Sequence, residues 1–339
     1  MINQRYRLIS PKIIRVDFTE DAIGEQDVVV RPQYLSICAA DQRYYQGLRE
    51  KAVLDKKLPM CLIHEAVGEI VYDPKGEYPT GTLVAMVPNI ACDNDETIKE
   101  NYRLTSKFSS SSEDGFMRSL VTIDRSRIVE CGNLKGRCAS LLEPMSVAMN
   151  AYDVCFRKYN RQPKSIGVWG DGSIGFVVAL VMKKMIPGCE VSVIGTNPEK
   201  LEYFSFCDHQ YMIDTVPCMS QFDACFECVG GPASSKAINQ MIDCIKPQGI
   251  LSLMGVSEHP VEVNTRMVLE KGLTLVGHSR SSVQDFKDCV ELMQSKPEIS
   301  NYLESIISDE VVIRSITDMY EAFDKDRSNR FKTVMKWEM

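Results

Sequence analysis

The stretch that decides the fold is Ser165-Ile166-Gly167-Val168-Trp169-Gly170-Asp171-Gly172-Ser173-Ile174-Gly175, followed at once by the apolar run FVVALVMKKM at 176–185. A short apolar strand breaks at a Gly-x-Gly-x-x-Gly turn, and a helix starts inside the turn. Gly170 permits the tight bend, Gly172 lets the backbone approach a pyrophosphate, and Gly175 lets helix and strand pack closely. Ser173 and Ile174, in the first helical turn, complete the cofactor-binding set expected at this end.

Downstream, strand and helix patterns alternate through EVSVIG, PEKLEYFSF, FDACFECVG, ASSKAINQMIDCI, GILSLMGV and LTLVGHS. Short, wholly apolar strands interleaved with helices imply a parallel sheet covered on both faces. The end of the second strand chooses the cofactor. An NAD site places an acid there to hold the ribose hydroxyls. Here the strand ends in Gly195, followed by Thr196, Asn197 and, a turn later, Lys200. Glycine removes the charge and leaves room for a 2′-phosphate. Thr196 and Asn197 can donate hydrogen bonds and Lys200 a counter-charge, so NADP(H) is expected. Thr196 and Asn197 suit equally the cap of a helix starting near Pro198.

Upstream, residues 1–146 carry short β-type segments (DVVVRPQYLSI, AVGEIVYD, TLVAMVPN, MRSLVTI) closely punctuated by Gly and Pro. That pattern predicts a barrel-like β domain. Two helical patterns and a strand-like FKTVMKWEM close the chain and are expected to rejoin the first domain. The organisation is therefore α/β, with a catalytic domain of 1–146 and 280–339 and a doubly wound, Rossmann-type nucleotide domain inserted at 147–279. Ser109–Ser112 reads as a loop tip.

Four ligand-type side chains precede the fingerprint: Cys38 in SICAAD, the pair His64-Glu65 in LIHEAVGE, and Glu143 in LLEPMSVA. A thiolate, an imidazole and carboxylates suit Zn²⁺, and a set without four structural cysteines points to an open, catalytic site. Cys38 and His64 are expected as fixed ligands with Glu143 as a third. Glu65 is either a fourth ligand or a carboxylate that exchanges with substrate. Glu143-Pro144 is also an N-terminal helix signal. Cys225 and Cys228 form a CxxC in an apolar strand without a second pair nearby, which points to buried thiols. His209, His259 and His278 read as surface or loop residues, with only His278 placed where a site could lie.

The bulk properties narrow the class. A net charge of −7 argues against nucleic acid as a partner. No apolar run approaches the roughly 18 residues that span a bilayer, and Met1–Val16 holds no apolar signal core. Thirteen scattered cysteines, odd in number, suggest reduced thiols and a cytoplasmic protein.

Taken together, these motifs resemble the zinc-dependent medium-chain dehydrogenase/reductase family over essentially the whole chain. The resemblance rests on Cys38-Ala39-Ala40-Asp41, IHEAVGEI at 63–70, GTLVA at 81–85, DGFM at 114–117, EPMSVA at 143–148 and the fingerprint. It implies a GroES-like, β-barrel-type catalytic domain beside the Rossmann-type one, and zinc-assisted carbonyl chemistry with NADPH. SICAADQRYYQG, KLPMCLIHE, FECVGG and GVSEHPVEVNTRMVLEKGLTLVGHSRS are similar to the branch that reduces D-ribulose 5-phosphate to D-ribitol 5-phosphate for teichoic acid or capsule. That branch implies a sugar-phosphate substrate, a cytidylyltransferase making CDP-ribitol as partner, and a homodimer or larger homo-oligomer. Phosphate capture would fall to Arg43, Tyr44, Tyr45 and Arg49, with Arg280 from the HSRSS loop.

Three departures from the family pattern carry consequences. Only Cys92 lies between Ala91 and Asp114, so a second, structural zinc cannot be built. Ile63 replaces the usual glycine before His64. Ala40 stands where relatives carry a Ser or Thr proton relay, so the alkoxide must be protonated by zinc-bound water or Glu65. Two rival expectations are a dehydrogenase of unphosphorylated polyols or secondary alcohols, and a catalytically silent NADP-binding protein.

Overall fold

The structure, a computed structural model, describes residues 1–157, 162–217 and 221–339. These fall into two compact units, Met1–Ser146 with Ser281–Met339, and Val147–Arg280.

The main sheet of the first unit grows from Asp27–Ser36, whose Val28, Val29 and Val30 are all buried. In sheet order its strands are Ile128–Glu130, Leu83–Met86, Glu65–Tyr72, Asp27–Ser36, Lys332–Trp337 and Ile307–Ile313, with Val121–Asp124 also paired to Asp27–Ser36. Pro32 has no N–H to give the ladder, and the register shifts between Pro32 and Tyr34. The C-terminal strand lies antiparallel to Asp27–Ser36 and parallel to Ile307–Ile313. A smaller sheet pairs Ile2–Ser10 with Ile13–Glu20 and Met60–Cys61. Between the sheets sits one core that includes Leu8, Leu35, Leu62, Ile63, Phe323 and Trp337.

Register sets up the chemistry. Ser36 pairs with Glu65 on one side and with Val334 on the other. Cys38, Glu65 and Lys332 thus emerge at the same end of three adjacent strands.

The second unit is a six-stranded parallel sheet in the order His209–Met212, Glu190–Gly195, Ser165–Trp169, Phe222–Glu227, Ile245–Leu253, Thr274–Gly277. Strand order reverses beside Ser165–Trp169, the topological switch point at which doubly wound sheets bind dinucleotides. The helix Ser173–Met185 buries every residue from Gly175 to Met182, as its apolar sequence requires. Cys225 and Cys228 are buried, and burial holds both thiols well above the usual thiol range. Among the described residues no helix is long and apolar enough to cross a membrane.

Candidate active site

Cys38 caps the helix Ala39–Tyr45, and Asp41, three residues on, closes a capping box by accepting the Cys38 N–H at 3.2 Å. The other Asp41 oxygen accepts the Ile63 N–H at 2.9 Å and the Ser110 hydroxyl at 3.0 Å. Asp41 is fully buried. It therefore ties the cysteine turn to the residue just before His64.

His64 Nδ1 lies 2.9 Å from the Ser110 hydroxyl and 3.6 Å from Asp41. The one hydroxyl proton of Ser110 goes to Asp41, so its oxygen accepts from His64 Nδ1–H. The network thus assigns the tautomer and leaves Nε2 as the nitrogen able to bind a metal. Burial alone would lower the imidazole pKa, but the charge and hydrogen bond of Asp41, with Cys38 adding to them, hold it well above its ordinary value. Burial likewise opposes ionisation of Asp41, and His64 and the donors around it override that, keeping it a carboxylate.

Cys38, His64 and Glu65 bring one ligand atom each to within 4.8 Å of one another. A half-buried sulfur, a buried imidazole nitrogen and a buried carboxylate oxygen in one cluster fit a zinc ion. Glu143, in the first turn of the helix Leu142–Tyr152, stands outside that trio. It is close enough for the charges of His64 and Glu65 to act on it. Burial pushes its carboxyl up to about 7, against the pull of His64 and Lys332 and with the push of Glu65. Both Glu65 oxygens are held by the buried Lys332 ammonium, at 2.6 and 2.7 Å. These two bonds hold the Glu65 carboxylate in place beside Cys38 and His64.

Ile63 occupies the left-handed region at φ 69. That conformation is easy for glycine and strained for a β-branched residue. Its N–H bonds to Asp41, its carbonyl accepts the Phe116 N–H at 2.7 Å, and its side chain is fully buried. Gly115 is needed here, since a Cβ at this position would lie 2.3 Å from the Leu62 carbonyl oxygen.

Several expectations need correction. Ser109 and Ser110 are buried rather than at a loop tip, because Ser110 turns inward at φ 58 onto His64 and Asp41. Tyr45 is stacked on Phe323 with ring centroids 4.2 Å apart, and burial pushes its phenol up to about 12. It packs the core and leaves the phosphate set. Tyr44 is also buried, with the Arg49 guanidinium 5.0 Å above its ring. Arg43 lies on the helix that Cys38 caps. His278 is buried in the nucleotide unit, with Nε2 3.5 Å from Cys155 Sγ. Arg280, in the same unit, is half-buried at φ 61, and burial lowers its pKa.

Ser110 and Lys332 were not singled out from sequence, and Asp41 and Asp171 were named only as members of their motifs. The Cys-x-x-Asp spacing matches the capping box seen in the structure and is the signal that could have marked the role of Asp41. A lysine in the buried strand KTVMKW was a weaker sign of Lys332. Nothing local marks Ser110.

In the nucleotide unit the turn is shaped by absent side chains. Gly170 has φ 128, and a Cβ on Gly175 would sit 1.9 Å from the Gly170 carbonyl oxygen. At Gly172 a Cβ would meet nothing within 4 Å, and no side chain caps the helix there. The first-turn N–H groups, including those of Ser173 and Ile174, form a place where an anion can be bound. The room expected at Gly195 is already filled, since a Cβ there would lie 2.6 Å from Asp171 Oδ2. That oxygen accepts the N–H groups of Thr196 and Asn197, at 2.7 Å each. The Asn197 side chain accepts the Lys200 N–H at 3.2 Å, capping Pro198–Leu201.

A doubly wound nucleotide unit, joined in one chain to a β unit with a Cys–His–Glu cluster, defines a medium-chain dehydrogenase/reductase. Comparison with known proteins agrees. The alcohol dehydrogenase GroES-like domain matches residues 24–133, and the glucose dehydrogenase C-terminus matches residues 136–337. Ribulose-5-phosphate reductase 1 of Staphylococcus aureus is 46% identical and ribulose-5-phosphate reductase of Bacillus spizizenii 43% identical, each over 100% of both chains. The crystal structure of S. aureus TarJ in complex with NADPH superposes with a TM-score of 0.89 at 42% identity, covering 100% of both chains. The chain belongs to the medium-chain dehydrogenase/reductase family and, within it, to the group of the ribulose-5-phosphate reductases.

Proposed function

We propose that this protein reduces D-ribulose 5-phosphate to D-ribitol 5-phosphate with NADPH at a single zinc site. The observation that carries the chemistry is the convergence of Cys38, His64 and Glu65, with His64 Nδ1 committed to Ser110. The names of the full-length relatives, and the NADPH bound in the TarJ structure, support the substrate and cofactor.

Cys38 and His64 would hold the metal, with Glu143 as third ligand and Glu65, restrained by Lys332, as the exchangeable one. Bound there, zinc supplies Lewis-acid stabilisation of the charge that develops on the carbonyl oxygen. Hydride from C4 of the nicotinamide forms the new C–H bond at C2, the carbonyl electron pair moves to oxygen, and a solvent-derived proton completes the alcohol. Asp41 and Ser110 fix the imidazole so that no reorientation is needed during the reaction. Gly170, Gly172 and Gly175 seat the pyrophosphate, and Thr196, Asn197 and Lys200 face the adenosine ribose. Arg43 is assigned to the substrate phosphate.

A single zinc is supported by the 91–114 segment, which has one cysteine, Cys92. There the Arg103 guanidinium gathers the carbonyls of Asp93, Asp95 and Ile98, so this segment is tied together by side-chain hydrogen bonds. Every described cysteine is a free thiol, in keeping with a cytoplasmic enzyme. The exposed Leu275 on the edge strand Thr274–Gly277 suits pairing with a second copy. A cytidylyltransferase consuming the pentitol phosphate is the expected partner.

The test is NADPH oxidation, followed at its absorbance band, with ribulose 5-phosphate and with ribulose, each with and without a zinc chelator. Chelator-sensitive oxidation with the phosphate alone is the expected result. Equal rates with both sugars would replace the proposal with a polyol dehydrogenase, and oxidation of neither would favour a silent binder.

A further inference from the structure

The Gly-x-Gly-x-x-Gly turn carries an acid at its second position, and the fold sends that acid to the end of the neighbouring strand. Asp171 Oδ2 accepts the backbone N–H groups of Thr196 and Asn197 at 2.7 Å each, and the Thr196 hydroxyl stands 3.5 Å away. Gly195 is the residue that allows this, since any Cβ there would meet the carboxylate at 2.6 Å. The end of the second strand therefore does hold a carboxylate. It comes from the fingerprint rather than from the strand itself.

We infer that Asp171 is a specificity-determining residue that sets how strongly the protein prefers NADPH over NADH, by penalising the 2′-phosphate. The inference rests on the nucleotide-binding reading above. In a doubly wound sheet the adenosine ribose is held at the end of the second strand. A carboxylate there accepts from ribose hydroxyls and repels a phosphate. Asp171 also occupies two N–H donors that an incoming phosphate would otherwise use. NADPH must displace that contact or tolerate the charge, whereas NADH meets neither cost. Thr196, Asn197 and Lys200 pull toward NADPH, and Asp171 limits that pull.

Asp171→Asn keeps an oxygen acceptor for the two N–H groups and removes the charge. Asp171→Ala removes both. Binding of NADPH and NADH to the substrate-free, full-length protein is followed by nicotinamide fluorescence. Inhibition by adenosine 2′,5′-bisphosphate and by 5′-AMP isolates the phosphate. In Asp171→Asn the preference for NADPH should rise by about tenfold or more, as expected for removing one like charge at close range. Inhibition by the bisphosphate should strengthen to a similar degree, while that by 5′-AMP stays within about twofold. Asp171→Ala should shift the ratio the same way, even if both affinities fall because the turn loosens.

An unchanged ratio, or an equal loss for both cofactors in both variants, would overturn the inference and leave Asp171 a purely structural brace. A wild-type protein that binds neither cofactor would instead overturn the nucleotide reading and the inference with it.

Discussion

The two candidate sites are built by opposite means. In the catalytic unit the chemistry is carried by side chains, Cys38, His64 and Glu65, the last two backed by buried charged or polar partners. Asp41 and Ser110 stand behind the histidine, and Lys332 stands behind the glutamate. In the nucleotide unit the turn works because side chains are missing, and what is offered is backbone N–H in open space. A site of the first kind should fail when a charge is changed. A site of the second kind should fail when a single methyl group is added.

The strongest break in that comparison is removal of a ligand. Cys38→Ala or His64→Ala should lower kcat/KM by about a thousandfold or more, the scale expected when a catalytic metal is lost. Zinc content, measured by atomic absorption, should fall with it, while NADPH affinity stays within a few-fold. Comparable loss of cofactor binding would mean that the two sites are not separable in this way.

The glycines sharpen the contrast within one turn. Gly175→Ala forces a methyl group to within 1.9 Å of the Gly170 oxygen. It should cost several kcal/mol of stability, at the upper end of single-residue effects, and appear as a large fall in melting temperature. At Gly172 the added methyl meets nothing within 4 Å. Gly172→Ala should melt close to wild type, yet bind NADPH about tenfold or more weakly, because the methyl occupies the space the pyrophosphate needs. Equal melting temperatures for the two variants would show that the close approach at Gly175 is relieved by small shifts.

The same distinction explains what was legible in the sequence. Backbone sites announce themselves, since glycine spacing between an apolar strand and an apolar helix has few other uses, and the alternation of strand and helix gives a parallel sheet but leaves its strand order open. The grouping of Cys38, His64 and Glu65 was legible from ligand chemistry, whereas Glu143, read with them, stands outside the trio. The partners of the trio were not legible, because they are brought in by tertiary structure from far along the chain. Ser110 is 46 residues from His64, and Lys332 is 267 residues from Glu65. A four-serine run has the composition of a solvated loop, and only its inward turn makes Ser110 part of the site. Gly195 misled in the reverse sense. A missing side chain suggested empty space, whereas the space is taken by a carboxylate 24 positions earlier in sequence, at Asp171.

The mildest test concerns the scaffold behind the ligand cluster, where charge again does what space does in the other unit. Asp114 accepts from Arg5 at 2.9 Å, from the Cys61 N–H at 2.9 Å and from Arg7, fixing the strand end that leads to His64. Burial alone would raise its pKa. The Arg7 hydrogen bond, the Cys61 N–H and the charges of Arg118 and Arg7 outweigh that and bring it down to about 2. A folded-state pKa below the unfolded value means that the stabilisation is complete above the unfolded pKa and is lost as pH falls through the folded one. Asp114 should therefore contribute roughly 2 kcal/mol at pH 6, shrinking between about pH 4 and 2. Asp114→Asn imitates the protonated carboxyl. In urea unfolding it should be less stable than wild type by about that amount at pH 6, with the gap closing toward pH 2. A gap that stays constant with pH would assign the loss to shape rather than charge, and would make this part of the catalytic unit resemble the glycine turn instead of its own ligand cluster.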